Sequence, residues 1–268
     1  MSGLPNMRVI LLTHGGADLV IERLAAIGGV EVSGVFIEMI TTPERSAIDK
    51  LKRSVKYDGV RATLDKFFRS TSRSGAMGAP DLTRRAAEAN GIPIVEVNNF
   101  HLPASLDQMH AGEADLFIIF GTNIVRENVF GIPRLGSINL HQGLAPYYRG
   151  GPPVFWELFN DEQEVGLTVH FVASKVDTGD IVLQRTKPLR YDPEFGLDFE
   201  AFIDDFRSGL RDDSADLLAS AVEKIATGNF ERKPQDITLG KRYRLPTKKE
   251  KDEMRRRLKQ RLSGGANG

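Results

Sequence analysis

MRVILLTHGGADLVIERLAAI, Met7 to Ile27, decides the architecture. Met7 to Thr13 is an apolar run broken only by Arg8, short enough and aliphatic enough to be a buried strand. His14-Gly15-Gly16 then supplies a turn, and from about Ala17 to Ile27 the apolar residues recur at helical spacing. Strand, turn and helix recur downstream. Val30 to Phe36, Pro93 to Val97, Asp115 to Phe120 and Ser137 to Leu140 read as further strands, and a helix from about Asp81 to Asn90 leads into the third. Such alternation predicts an α/β fold: a Rossmann-like, doubly wound, mostly parallel sheet whose sites lie outside the carboxyl ends of its strands.

Chemistry concentrates where the last of these strands runs out. Asn139 and His141 stand two apart at the end of the apolar run Leu135 to Leu140, so on a strand they share a face. Gly143, Pro146, Gly150, Gly151, Pro152 and Pro153 then forbid regular structure. A second strand follows, in which Val165, Leu167, Val169 and Phe171 alternate with Gly166, Thr168 and His170, and it leads to Asp177-Thr178-Gly179-Asp180. An amide, an imidazole and a carboxylate in this frame suit acyl transfer without a covalent enzyme intermediate. Asn139 can donate to an oxygen that becomes negative, a contribution typically worth on the order of a hundredfold to a thousandfold in rate. His141 can donate when protonated or move a proton when neutral, and Asp177 can stabilise the imidazolium and help remove the attacking amine's proton. Taken singly, Asn-x-His and Asp-x-Gly are ordinary strand-end and turn sequences; their order and spacing carry the reading. His170, within an alternating strand, reads as a hydrogen-bonded structural histidine.

The ordered set Asn139-Leu140-His141, Leu144-Ala145-Pro146-Tyr147-Tyr148-Arg149-Gly150, Thr168-Val169-His170 and Asp177-Thr178-Gly179 resembles the formyltransferases that use 10-formyltetrahydrofolate, and the likeness extends loosely from Met7 to Leu189. The family includes phosphoribosylglycinamide formyltransferase, methionyl-tRNA formyltransferase and the sugar N-formyltransferases. The resemblance implies that Asn139, His141 and Asp177 are the catalytic trio. It implies that Phe120, Gly121, Thr122, Asn123, Ile124 and Val125, with Val172, Ala173 and Val176 from the loop that leads to Asp177, hold the pterin of the co-substrate. It also implies that His14, Gly15 and Gly16, with Arg149 and Gly150, face the formyl acceptor. Many relatives have Ser two residues after the catalytic His, where this chain has Gly143.

Other features bound the remainder. Lys plus Arg and Asp plus Glu are each 36, so no net charge steers the chain to nucleic acid. Zero cysteines exclude disulfides and thiolate metal sites, five scattered histidines have no ligand spacing, and no metal is expected. The start of the chain lacks a signal-type run and no apolar stretch matches a membrane span, so the expectation is a cytoplasmic protein without a transmembrane segment. Domain expectations are a catalytic domain over residues 1–190, with a basic helical insert at about 43–75, and a helical extension over 191–268. The insert carries basic amphipathic patterning, read as a solvated face or, alternatively, as a patch for a phosphorylated acceptor or peripheral membrane contact. A helix is predicted from about Asp198 to Thr227, and a basic terminal helix opens with a Thr247/Glu250 capping box. No run of alternating strands follows the core that could form the barrel methionyl-tRNA formyltransferases carry there, so transfer RNA is not expected as a partner. The oligomeric state is left open. The functional expectation is formyl transfer from 10-formyltetrahydrofolate to the primary amine of a small molecule, an amino sugar on a nucleotide or other phosphate carrier. Two alternatives stand beside it: hydrolysis of the same folate, and a non-catalytic folate or nucleotide-binding module.

Overall fold

β1 (Met7–Thr13) sends Val9 and Leu11 to one side and Ile10 and Leu12 to the other, all essentially solvent-free, because a strand in the middle of a sheet must bury both faces. The protein is described by a computed structural model that covers residues 6–39 and 78–264. The insert expected at about 43–75 lies outside the described residues.

After β1 come α1 (Asp18–Ala25), β2 (Val30–Glu38), α2 (Gly78–Ala89), β3 (Ile94–Val97), α3 (Pro103–Ala111), β4 (Leu116–Phe120), the short α4 (Glu127–Phe130) and β5 (Ser137–His141). The chain continues through β6 (Tyr148–Gly150), α5 (Phe155–Phe159), β7 (Glu164–Phe171) and β8 (Ile181–Pro188). It ends with α6 (Phe199–Ser208), α7 (Arg211–Ala226), β9 (Lys241–Tyr243) and α8 (Lys248–Gly264). The main sheet has the order β3-β2-β1-β4-β5-β7-β8; it is parallel from β3 to β5, while β7 and β8 are antiparallel. This is the doubly wound α/β fold that the alternation predicts.

One face of the sheet packs Leu11, Ile118 and Val169 against α1 and α7 residues such as Ile21, Leu218 and Val222. The opposite face packs Leu12, Phe117 and Ile119 against Phe100, Met109 and Val129. At 25 cal/mol per Å², each fully buried aliphatic or aromatic side chain contributes roughly 1.5–3 kcal/mol to this sandwich. The helix predicted over 198–227 is two helices, because Gly209 ends α6 and α7 restarts at Arg211. α7 lies against α1, β7 and β8, so the segment after residue 190 shares the core of the main sheet. The capping box forms: Thr247 N–H donates to Glu250 Oε2 at 2.7 Å and Glu250 N–H reaches Thr247 Oγ1 at 3.4 Å.

The strand order places the site. β2 and β4 flank β1 on opposite sides, so the loops after β1 and β4 diverge and open a crevice at the carboxyl edge. Gly15 and Gly121 meet there: a Cβ on Gly121 would lie 3.8 Å from the Gly15 carbonyl.

Candidate active site

β5 runs antiparallel to β7 with Asn139 opposite His170 and His141 opposite Thr168. A period of two on each strand therefore stacks four polar side chains on one face of an apolar sheet. Thr168 fixes the loop after β5: its Oγ1 donates to the Gly143 carbonyl at 2.7 Å and accepts from Ala145 N–H at 3.2 Å. Gln184 on β8 adds donors to the Ala145 carbonyl and to Thr168 Oγ1.

Asp177 completes the group. Its Oδ2 accepts the Gly150 N–H at 2.8 Å and stands 3.5 Å from His141 Nδ1, while its Oδ1 is 3.4 Å from His170 Nε2. The backbone of Asp177 is left-handed, with φ 52°, a strained conformation for a non-glycine residue that persists where surrounding bonds over-determine it. His170 donates Nδ1–H to its neighbour's carbonyl on Phe171 at 2.8 Å, which turns Nε2 towards Asp177 and towards Asn139 Nδ2 at 3.5 Å. His141 donates Nε2–H to the Tyr148 carbonyl at 2.8 Å, which leaves Nδ1 facing the carboxylate.

Electrostatics assign the protonation states. Burial pushes the His141 imidazolium below its ordinary value, and the Asp177 charge and Tyr148 carbonyl only partly oppose this. Burial also pushes the Asp177 carboxyl up, but the His170 hydrogen bond, the His141 charge and the Gly150 amide outweigh it and hold it at about 2. These two tendencies compete, since the pull between the pair is strongest when the imidazole is charged. With His141 neutral, the Gly150 amide still donates to Asp177 and favours its ionised form, so the resting pair at neutral pH is imidazole and carboxylate.

Gly143 is a close-approach glycine. A Cβ there would fall well inside contact with His141 Nε2 and 2.7 Å from the Tyr148 carbonyl, so the imidazole occupies space that a serine would claim. Arg149, expected towards the acceptor, is buried and turned inward, and its guanidinium donates to the carbonyls of Pro146, Ile237 and Gly240. Gly150 serves Asp177 through its amide. His14, Gly15 and Gly16 form the turn at the switch point, where His14 Nε2 is 2.7 Å from Glu38 Oε2 and the buried Glu38 also accepts the Phe100 N–H.

A cavity of about 200 Å³ opens beside the trio, lined by Ile119, Thr122, Asn123, Ile124 and Val125 on one side, Asn139, His170 and Asp177 at its base, and Val172 to Val176 opposite. It brings together most of the residues expected at the pterin; Phe120 and Gly121 stand just behind it on β4 and its turn. His170 is the side chain whose place in this cluster the sequence reading missed. Its signal was the pair of polar residues, Thr168 and His170, two apart in an otherwise apolar strand. Among the described residues no group of three or more His, Cys, Asp or Glu is arranged to hold a metal, and no helix is long and apolar enough to cross a membrane.

An amide, a neutral imidazole and an ionised carboxylate at the carboxyl edge of a Rossmann-like sheet, beside a cavity of mixed polar and apolar lining, are groups suited to transfer at an acyl carbon. The family model described as "Formyl transferase" matches residues 76–192. The methionyl-tRNA formyltransferase of Parabacteroides distasonis is 27% identical over 233 residues, covering 86% of this chain and 60% of the relative. Among solved structures, glycinamide ribonucleotide transformylase 1 from Symbiobacterium toebii superposes with a TM-score of 0.58 at 18% identity, covering 88% of this chain and 96% of the other. The N-formyltransferase from Helicobacter canadensis, solved with folinic acid and dTDP-3-aminofucose, gives 0.53 at 16% identity, covering 88% and 70%. Residues 76–192 of this chain are thus a formyl transferase domain.

The chain spans between about half and three-fifths of the length of the curated relatives it matches. Methionyl-tRNA formyltransferases recur among them, and their acceptor, by name, is a tRNA. That overturns the expectation that transfer RNA is excluded as a partner. The expectation leaned on what residues 191–268 lack, and an absence there does not outweigh kinship over most of the chain.

Proposed function

We propose that this protein transfers the formyl group of 10-formyltetrahydrofolate to a primary amine. The observation that carries this reading is that Asn139 and Asp177 stand at the base of the 200 Å³ cavity, with His141 Nδ1 3.5 Å behind the carboxylate. That cavity fits the co-substrate's bicyclic pterin: Ile119, Val125, Val172 and Val176 offer apolar flanks, and the loops at 120–125 and 172–176 offer backbone groups to its polar edge. A folate whose pterin is bound there carries its N10 formyl group to the trio. Asn139 Nδ2 donates to the formyl oxygen as it becomes negative in the tetrahedral intermediate. The neutral His141 and the ionised Asp177 receive the proton that the attacking amine must lose, and return a proton to the departing N10.

For the acceptor, the reading is an amino sugar on a nucleotide or another phosphate carrier, approaching from the His14–Gly16 turn. The sugar N-formyltransferases among the fold neighbours support it. Methionyl-tRNA is the second reading, favoured by the curated relatives. The decisive experiment presents purified protein with 10-formyltetrahydrofolate and a panel of amino-sugar nucleotides, glycinamide ribonucleotide and methionyl-tRNA, and reads mass gain of one formyl group. Release of formate without a formylated amine would convert the reading to a hydrolase. Folate binding with neither outcome would leave a binding module.

A further inference from the structure

A second cavity, of about 1110 Å³, shares the rim residues Thr122, Asn123 and Ile124 with the pterin slot. Its far wall is β9 and the residues after it, Lys241, Arg242, Tyr243 and Arg244, with Trp156 beneath. The placement of β9 is built in. Its three residues pair in parallel with β6, a Cβ on Gly240 would collide with the Pro146 carbonyl, and the Trp156 indole donates to the Arg244 carbonyl at 2.7 Å. Tyr243 stacks on Tyr148 with ring centroids 5.0 Å apart. A rigid strand therefore presents cations at one edge of the active site.

Those cations are unevenly committed. Arg244 is paired with Glu250 at 2.8 Å. Lys241 and Arg242 are exposed; Lys241 Nζ lies 4.7 Å over the Tyr243 ring, and no carboxylate among the described residues forms an ion pair with either. Arg242 runs against Gly150, its Cγ 3.1 Å from where a Cβ would stand, and Gly150 is the residue whose amide holds Asp177. The cavity wall thus carries positive charge within one residue of the catalytic carboxylate.

Size indicates what reaches it. The inner slot of about 200 Å³ is below the roughly 300–1,000 Å³ of pockets that enclose a whole drug-sized ligand, and it suffices for a pterin alone. With N10 at the trio, the benzoyl ring and everything beyond it must leave across the shared rim. Ile124, 69% exposed, offers an apolar surface there for a flat ring to cover. Beyond the ring a folate carries an oligo-γ-glutamyl chain, with one carboxylate added per residue.

We infer that the β9 cavity is a subsite for the oligo-γ-glutamyl tail of the folate donor, with Lys241 and Arg242 pairing its carboxylates. This rests on the donor reading proposed above. Pairs at an exposed edge are individually weak and screened by salt, so two of them give roughly a two- to thirtyfold gain in affinity at low ionic strength.

The test measures binding of 5-formyltetrahydrofolate as its mono-, tri- and pentaglutamate by titration calorimetry at low and high salt. In the native protein the pentaglutamate should bind about two- to thirtyfold tighter than the monoglutamate at low salt, with the gain shrinking as salt rises. The double variant Lys241→Gln, Arg242→Gln should lose most of that gain, and restoring the charge with Arg242→Lys in place of the Gln should return part of it. Protein that binds the monoglutamate but gains nothing from a longer tail overturns the subsite and leaves the donor reading standing. A gain that survives in the folded double variant overturns it too, as does an intact gain accompanied by a raised KM for a phosphorylated acceptor, which would give the cavity to the acceptor. Protein that binds no folate of any length overturns the donor reading and, with it, this one.

Discussion

At the scale of single residues the proposed trio divides its labour, and each proposed role can be removed separately. Asn139→Ala, His141→Ala and Asp177→Ala should each lower turnover by about two to four orders of magnitude while affinity for folate changes far less. Steady-state kinetics beside a folate titration measures both, and near-normal turnover in folded His141→Ala would sink the mechanism. The pH profile is a sharper probe. Burial holds the His141 imidazolium down and Asp177 pulls it up, so the neutral base persists below the ordinary histidine range. The rate should accordingly rise along an acid limb set by His141. Asp177→Asn removes the charge that favours imidazolium, so this limb should move to lower pH in the variant. A limb that stays in place or moves upward would count against the pairing at 3.5 Å.

At the scale of elements, the site depends on β7 gripping the loop that leaves β5. Thr168 is buried and satisfies both the Gly143 carbonyl and the Ala145 amide, and it is anchored by Gln184. Thr168→Val keeps the shape and strands those partners, each at a cost of roughly 1–3 kcal/mol. We expect a loss of about 2–4 kcal/mol in denaturant unfolding, together with lower turnover because His141 sits at the root of the same loop. Unchanged stability would mean that water replaces Thr168 without cost. The inward-turned Arg149 belongs to the same logic: it ties the β6 loop to residues 237 and 240, and so hangs β9 on the active site.

At the scale of the whole molecule, one buried acid makes stability depend on pH. Glu157 on α5 is 3% exposed, and burial, aided by the Glu162 charge, pushes its carboxyl up to about 7. A folded-state value raised above the unfolded one gives stability that is full below about pH 4.5 and is lost as pH rises through about 7. The displacement from 4.5 corresponds to about 3 kcal/mol. Glu157→Gln should therefore match the native protein near pH 5 and exceed it at pH 8.5 by up to about that amount. Melting curves across this range decide the matter, and parallel curves for the two proteins would show that Glu157 has a charge partner at high pH.

The sequence by itself determined the alternation of strands and helices, because apolar period and glycine turns are local properties that short-range sterics enforce. It also determined that Asn139 and His141 share a strand face, since a period of two follows from the backbone alone. The order and spacing of its motifs carried the resemblance to the formyltransferases. Tertiary structure decided the rest. His170 joins the site only because β7 runs antiparallel to β5 in the register that sets it opposite Asn139. Arg149 turns inward because three carbonyls converge on it, two of them from residues 237 and 240. The cationic wall exists because β9 pairs in parallel with β6, about ninety residues upstream. Pairing between distant segments is set by which surfaces fit when the chain collapses, and no local pattern encodes that choice.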